Sequence, residues 1–263
     1  MPVRNLPLLR EAIVMSCHSG EVRLSRISFL IYNISTMKYS YKIHQNIYQD
    51  AWNWWDACNC ITHGVDHSKL MTPKVVKAIK GKNQKEAYRF LIPFLREKYL
   101  EEKDEIEKSK QNIVRQFNQY FEKACDKIAE VMGKPIYRPD FHFFLTTFGR
   151  CPYNKNKGYV WLYVYRTSAI HTFLHELCHF QFIHYWRENP RSPVSKLSDA
   201  QFEFLKESLT IILDKNFFPI TKKIDKGYDI HRDFRKELKK FWQKDNDFNK
   251  LVNFGTYLVT KYT

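Results

Sequence analysis

Two histidines four residues apart, with a glutamate directly after the first, occur in the run His175-Glu176-Leu177-Cys178-His179. On a helix, residues at that spacing stand one above the other on a single face. Two imidazoles so placed can grip one metal ion. The glutamate beside them can take a proton from a water that the metal activates. The chemistry on offer is metal-assisted hydrolysis, with His175 and His179 as ligands and Glu176 as general base.

The flanking sequence predicts the helix this requires. From Ser168 to Trp186 there is neither Gly nor Pro, and Ile170, Phe173, Leu174, Leu177, Phe180, Phe182, Ile183 and Trp186 make the segment strongly apolar. Such a helix is a buried one, and Thr167 or Ser168 can cap its start. Polar groups on a buried helix are costly unless partnered. A metal would partner them here; the competing account is a core helix with hydrogen-bonded histidines.

In this helical context the motif resembles the centre of the zincin superfamily of metallopeptidases. The resemblance covers His175, Glu176 and His179, and implies zinc on the two histidines with water activation by Glu176. A catalytic zinc takes three protein ligands and leaves one position open. The metzincin branch continues the motif with a glycine and a third histidine, but Phe182 and Tyr185 stand at those places, and His184 is one position out of register. The gluzincin branch instead draws a glutamate from a second helix further along.

The chain offers that helix. Ser198 and Gln201 are spaced as a capping box, and Phe202 to Leu213 continues with apolar Phe204, Leu205, Leu209, Ile211, Ile212 and Leu213. Glu203 and Glu207 lie one turn apart within it. Glu207, followed by Ser208, Leu209 and Thr210, looks like the gluzincin glutamate followed by small residues. It is taken as the third ligand, with Glu203 as the alternative. The polar stretch Arg187 to Pro193, with Pro190 and Pro193, lets the chain reverse between the two helices.

Two strands are expected upstream, Asp140–Phe148 and Gly158–Tyr165, both rich in aromatic and β-branched residues. Turn residues between them, including Gly149, Pro152 and Asn154, predict a β-hairpin. The resemblance implies that an edge strand, here the second, pairs with an extended substrate. Downstream, the turn Lys226–His231 supplies Tyr228 and His231 as candidates to stabilise an oxyanion. The helix over 230–244 is amphipathic, with Phe234, Leu238, Phe241 and Trp242 on one stripe. Arg232, Arg235, Lys236, Lys239 and Lys240 are placed mostly on the other side. A last helix spans roughly 247–261.

In the amino-terminal half, residues 85–132 are expected to be mainly helical, with Pro93 marking a break or first turn. Gly133 is the expected C-cap. Trp52, Trp54 and Trp55 precede Cys58, Cys60, His63 and His67; an aromatic core helix with buried cysteines is favoured over a second metal site, because the spacing is not that of a zinc finger. Residues 1–36 read as an N-terminal extension, 37–107 as a helical region and 108–263 as a zincin-like core.

At 263 residues and 44% hydrophobic content the chain can bury a substantial core and is not of the disordered class. The net charge of +15 permits nucleic-acid or anionic-surface binding, but the basic residues are spread over Lys-rich faces with no nucleic-acid-binding motif. Six cysteines without regular spacing and no targeting or membrane-spanning pattern point to reduced thiols in the cytoplasm. The expected fold class is α+β, mostly helical, with a small antiparallel β-sheet packed on the metal helix and the second ligand-bearing helix. The expected function is zinc-dependent peptide-bond hydrolysis with one zinc per chain and a peptide or protein substrate. Two alternatives stand beside it: a nucleic-acid-associated zinc protein, such as a SprT-type DNA-associated protease, and a non-catalytic zinc-stabilised helical module. In the latter, Cys178 or His171 would close the metal's fourth position.

Overall fold

The computed structural model describes residues 38–62 and 65–262; the proposed extension over 1–36 and His63 lie outside the described residues. The first element is a strand, β1 (Ser40–Gln45), followed by helix α1 (Ile47–Asn59), which Asn46 caps by accepting from the Tyr48 and Gln49 amides. A two-stranded ribbon, β2 (Ile61–Thr62) and β3 (Val65–Asp66), leads to helices α2 (Pro73–Ile79), α3 (Gln84–Glu101) and α4 (Lys103–Met132). Pro93 does not break the chain where expected: it lies inside α3, and the division falls instead at Glu102. Gly133 ends α4 in the left-handed conformation at φ 63°, as its position predicts.

The carboxy-terminal half begins with β4 (Asp140–Thr146), β5 (Tyr153–Asn154) and β6 (Tyr159–Tyr163). Helices α5 (Ala169–Phe182), α6 (Asp199–Leu209), α7 (Phe218–Thr221), α8 (Arg232–Asp245) and α9 (Phe248–Val259) follow. The fold is α+β and mostly helical, but the sheet is mixed, not antiparallel. Its order is β1-β4-β6-β5; β1 and β6 both run parallel to β4, and β5 runs antiparallel to β6. The expected hairpin of 140–148 with 158–165 is therefore corrected. The chain between them doubles back as the two-residue β5, which takes the antiparallel place beside β6 and leaves β6 parallel to β4. β6 is consequently interior, and the segment Gly149–Tyr153 borders it in the place foreseen for the edge strand.

One face of the sheet meets α4 and α5 through aromatic side chains. Phe173 of α5 lies 5.2–5.9 Å, ring to ring, from Phe117, Phe121, Phe141 and Phe143, and each of these is at most 1% exposed. Burying a phenylalanine contributes roughly 1.5–3 kcal/mol, so this cluster fixes α5 firmly against the sheet. α6 docks on α5 where Phe202 stacks on Phe182 at 5.7 Å. Its capping box forms as predicted: Ser198 Oγ accepts from the Gln201 amide and Gln201 Oε1 from the Ser198 amide. Ser168 flanks the start of α5 but caps nothing with its side chain; its hydroxyl donates to Thr221 O instead.

Residues 38–262 belong to one compact unit. A boundary at 107/108 would cut α4, and β1 from the supposed helical region completes the sheet of the supposed core. α1 forms the expected aromatic core helix, with Trp54, Ala57 and Cys58 buried, but Cys60, just past its end, is exposed and not buried as expected. No helix among the described residues is long and apolar enough to cross a membrane.

Candidate metal centre

α5 and α6 bring three donors to one point. His175 Nε2 and His179 Nε2 lie 2.9 Å apart, Glu207 Oε1 is 3.2 Å from His179 Nε2, and Glu207 Oε2 is 3.5 Å from His175 Nε2. Ligand atoms about 2.0–2.1 Å from a tetrahedral ion lie roughly 3.3 Å from one another. The three separations bracket that value, so His175, His179 and Glu207 can hold a metal ion with little rearrangement. Glu203 does not reach this point. It pairs at 2.7 Å with Lys206, and its side chain is 43% exposed. His171 and Cys178 do not join the cluster either. His171 Nε2 stands 4.0 Å from Asp225, and Cys178 is packed in the apolar core, where burial pushes its thiol well up.

Behind His175 is a carboxylate that the sequence did not flag. His175 Nδ1 donates to Asp225 Oδ2 at 2.7 Å. That bond fixes the tautomer and leaves the Nε2 lone pair for a metal. Asp225 is itself held by Arg235, whose guanidinium donates to its Oδ1 at 3.0 Å and its backbone carbonyl at 2.9 Å. The same guanidinium reaches Glu207 O at 3.0 Å and Thr210 Oγ1 at 2.7 Å. Arg235, placed by periodicity on the polar side of its helix, is therefore buried. It ties the loop carrying Asp225 to the end of α6 carrying Glu207.

A glycine makes this close approach possible. Gly227 sits at φ +65°, and a Cβ there would lie 2.5 Å from the Arg235 side chain. Gly227→Ala is expected to destabilise the fold by ~1–3 kcal/mol, combining left-handed strain with displacement of Arg235. Denaturant unfolding of the two proteins checks this, and equal midpoints would refute it.

The electrostatics follow the geometry. Burial alone would raise the Glu207 carboxyl, but the two imidazoles outweigh it and hold it well below the usual carboxylate range. Desolvation likewise opposes charge on His175, yet its bonds to Asp225 and Glu207 raise it to about 10. His179 is lowered to about 4 by burial. Burial also lifts Glu176 to about 7; the His175 charge opposes this and the Glu207 charge adds to it. Glu176 makes no hydrogen bond or ion pair with any described residue, and it lines the open cleft. Lys206, buried on α6, donates to Tyr153 OH at 2.9 Å and lies 3.4 Å from Glu207 Oε1. It is thus an ion-pair partner of the Glu207 carboxylate.

The cleft over this centre has a volume of about 1350 Å³. α5 and α6 line it together with Gly149–Tyr153, the ribbon residues Ile61 and Val65, and the loop Lys222–Tyr228. Of the two residues proposed to stabilise an oxyanion, the cleft receives Tyr228 and not His231. Burial, with the carboxylates of Glu207, Glu176 and Asp225, pushes the Tyr228 phenol up to about 12, so it stays a proton donor. His231 is buried edge-on against Phe204 at 4.5 Å, and its ring lies 5.9 Å from that of Tyr228. Among the described residues, Cys58, Cys60 and His67 form no metal-binding group, and His63 lies outside them.

No protein-family model matches the chain, and neither a curated protein nor a solved structure matches it.

Proposed function

We propose that the chain is a zinc-dependent peptidase of the gluzincin kind. The observation that carries this reading is the convergence of His175 Nε2, His179 Nε2 and Glu207 within 2.9–3.5 Å, at the floor of an open cleft. Two imidazoles and one carboxylate are a zinc donor set that leaves a position for substrate or water. Bound there, zinc would supply Lewis acidity, lowering the pKa of a water and polarising a carbonyl.

The chain's own residues perform the remaining tasks. Glu176 holds no protein partner, so its carboxylate is available to take a proton from water and later pass it to the departing amine. Its pKa near 7 suits both directions of that transfer. Asp225 fixes the His175 ring, Lys206 fixes the Glu207 carboxylate, and Tyr228 offers a phenolic proton toward the oxyanion. A closed structural zinc site would need a fourth protein donor, and neither Cys178 nor His171 is in position to be one.

Elemental analysis of purified protein tests the proposal first. One zinc per chain is expected, lost in both His175→Ala and Glu207→Ala. Wild-type protein that stays zinc-free after reconstitution would remove the basis for the reading.

A further inference from the structure

The cleft holds an imbalance of charge. Six cationic side chains line it, Arg150, Arg166, Lys206, Lys222, Lys223 and Lys226, against the four carboxylates of Glu176, Glu203, Glu207 and Asp225. Glu203 and Glu207 are paired with Lys206, Asp225 with Arg235, and Arg150 with Asp56. Arg166, Lys222, Lys223 and Lys226 have no carboxylate within 4.0 Å among the described residues. Among the described residues, the one side-chain hydrogen bond of the Arg166 guanidinium is a donation to the Thr172 hydroxyl at 3.3 Å. Thr172 lies one turn before Glu176 on α5, and the Arg166 charge is felt at Glu176 and at His171.

Unpaired lysines on an open surface are ordinarily solvated and need no explanation. These line the same cleft as the metal centre, where a substrate chain must lie. Four unpaired cations against the one unpaired carboxylate of Glu176 leave the cleft an excess of positive charge, and a cleft with such an excess concentrates ligands of the other sign. The guanidinium fork also matches a carboxylate in two parallel hydrogen bonds.

We infer that the cleft selects peptides bearing a carboxylate near the scissile bond, received by Arg166 with Lys222, Lys223 and Lys226. The inference rests on the peptidase reading of the same site. The carboxylate can be an Asp or Glu side chain or the free C-terminus of the peptide. The recognition chemistry is the same for both, and the experiment separates them.

Three rhodamine-labelled peptides of one length are compared. The first has glutamates and an amidated C-terminus, the second neutral side chains and a free C-terminal carboxylate, the third neutral side chains and an amidated end. Binding is read by fluorescence anisotropy on zinc-loaded Glu176→Gln protein, and cleavage on wild type. The first or second peptide is expected to bind and be cleaved at least about tenfold better than the third, the order of one charge-assisted hydrogen bond. The preference should weaken as salt rises. Preference for the first assigns a side-chain carboxylate; preference for the second assigns the terminus. Arg166→Gln should reduce the ratio of preferred to neutral peptide about tenfold, with Arg166→Lys intermediate. Equal binding of all three peptides would overturn the inference, as would a ratio unchanged in Arg166→Gln. So would a single-stranded oligonucleotide binding more tightly than either carboxylate peptide. Cleavage of all three at equal rates would sink the inference but leave the peptidase reading intact. Selective binding without any cleavage would support the inference while overturning that reading.

Discussion

Glu176→Gln is expected to lower peptide hydrolysis by at least ~10²–10⁴-fold, the contribution of a positioned general base, while zinc stays bound at one per chain. Glutamine keeps the shape of the side chain but cannot accept the proton. The ligands are untouched, because Glu176 points into the cleft and takes no part in the 2.9–3.5 Å cluster of His175, His179 and Glu207. Stability should hold or rise, since a 7% exposed carboxyl lifted to about 7 by burial is replaced by a neutral amide. Cleavage assays, elemental analysis and thermal melting on the same preparation check the three parts together. Hydrolysis at the wild-type rate would exclude Glu176 as the base.

Asp225→Ala should act on metal affinity and fold at once. Losing the acceptor of His175 Nδ1 is expected to weaken zinc binding about 10–100-fold. The substitution also strands the Arg235 guanidinium, which with Asp225 forms a pair whose side chains are 8% and 5% exposed. Removing one member of a buried pair costs about 3–5 kcal/mol. Asp225→Asn keeps an acceptor oxygen and removes the charge, so its stability loss should be smaller. Chelator competition measures the affinity and urea unfolding the stability. A zinc affinity unchanged in Asp225→Ala would mean that His175 is oriented by packing alone.

The parts of the site legible in the sequence are those written in local periodicity. The i, i+4 histidines, the Ser198–Gln201 capping box and the Gly133 terminus each depend on neighbours along the chain, and each appears where its spacing places it. Apolar neighbours in the sequence favour Glu207 over Glu203, and burial divides the two in the same sense. Asp225 was not legible. It lies one residue before the turn singled out for Tyr228 and His231, and its partner is fifty positions away, so no local pattern marks it. Helical periodicity misplaces Arg235 because it assigns a face but cannot see that a carboxylate and three carbonyls await the guanidinium on the buried side. The sheet failed for a related reason: β5 is too short to register as a strand, and turn residues announce a reversal without saying which strand lies beside which.

The parallel pairing of β1 with β4 joins residues 40–45 to residues 140–145. A ribosome adding 5–20 residues per second takes roughly 5–20 s to make the chain between them. For that interval β1 is in existence without the neighbour it will hydrogen-bond to. Assembly of the sheet, and of the platform beneath α5, must follow synthesis of the α1–α4 segment. This ordering makes the nascent chain, more than the finished protein, the species exposed to mispairing at a strand edge.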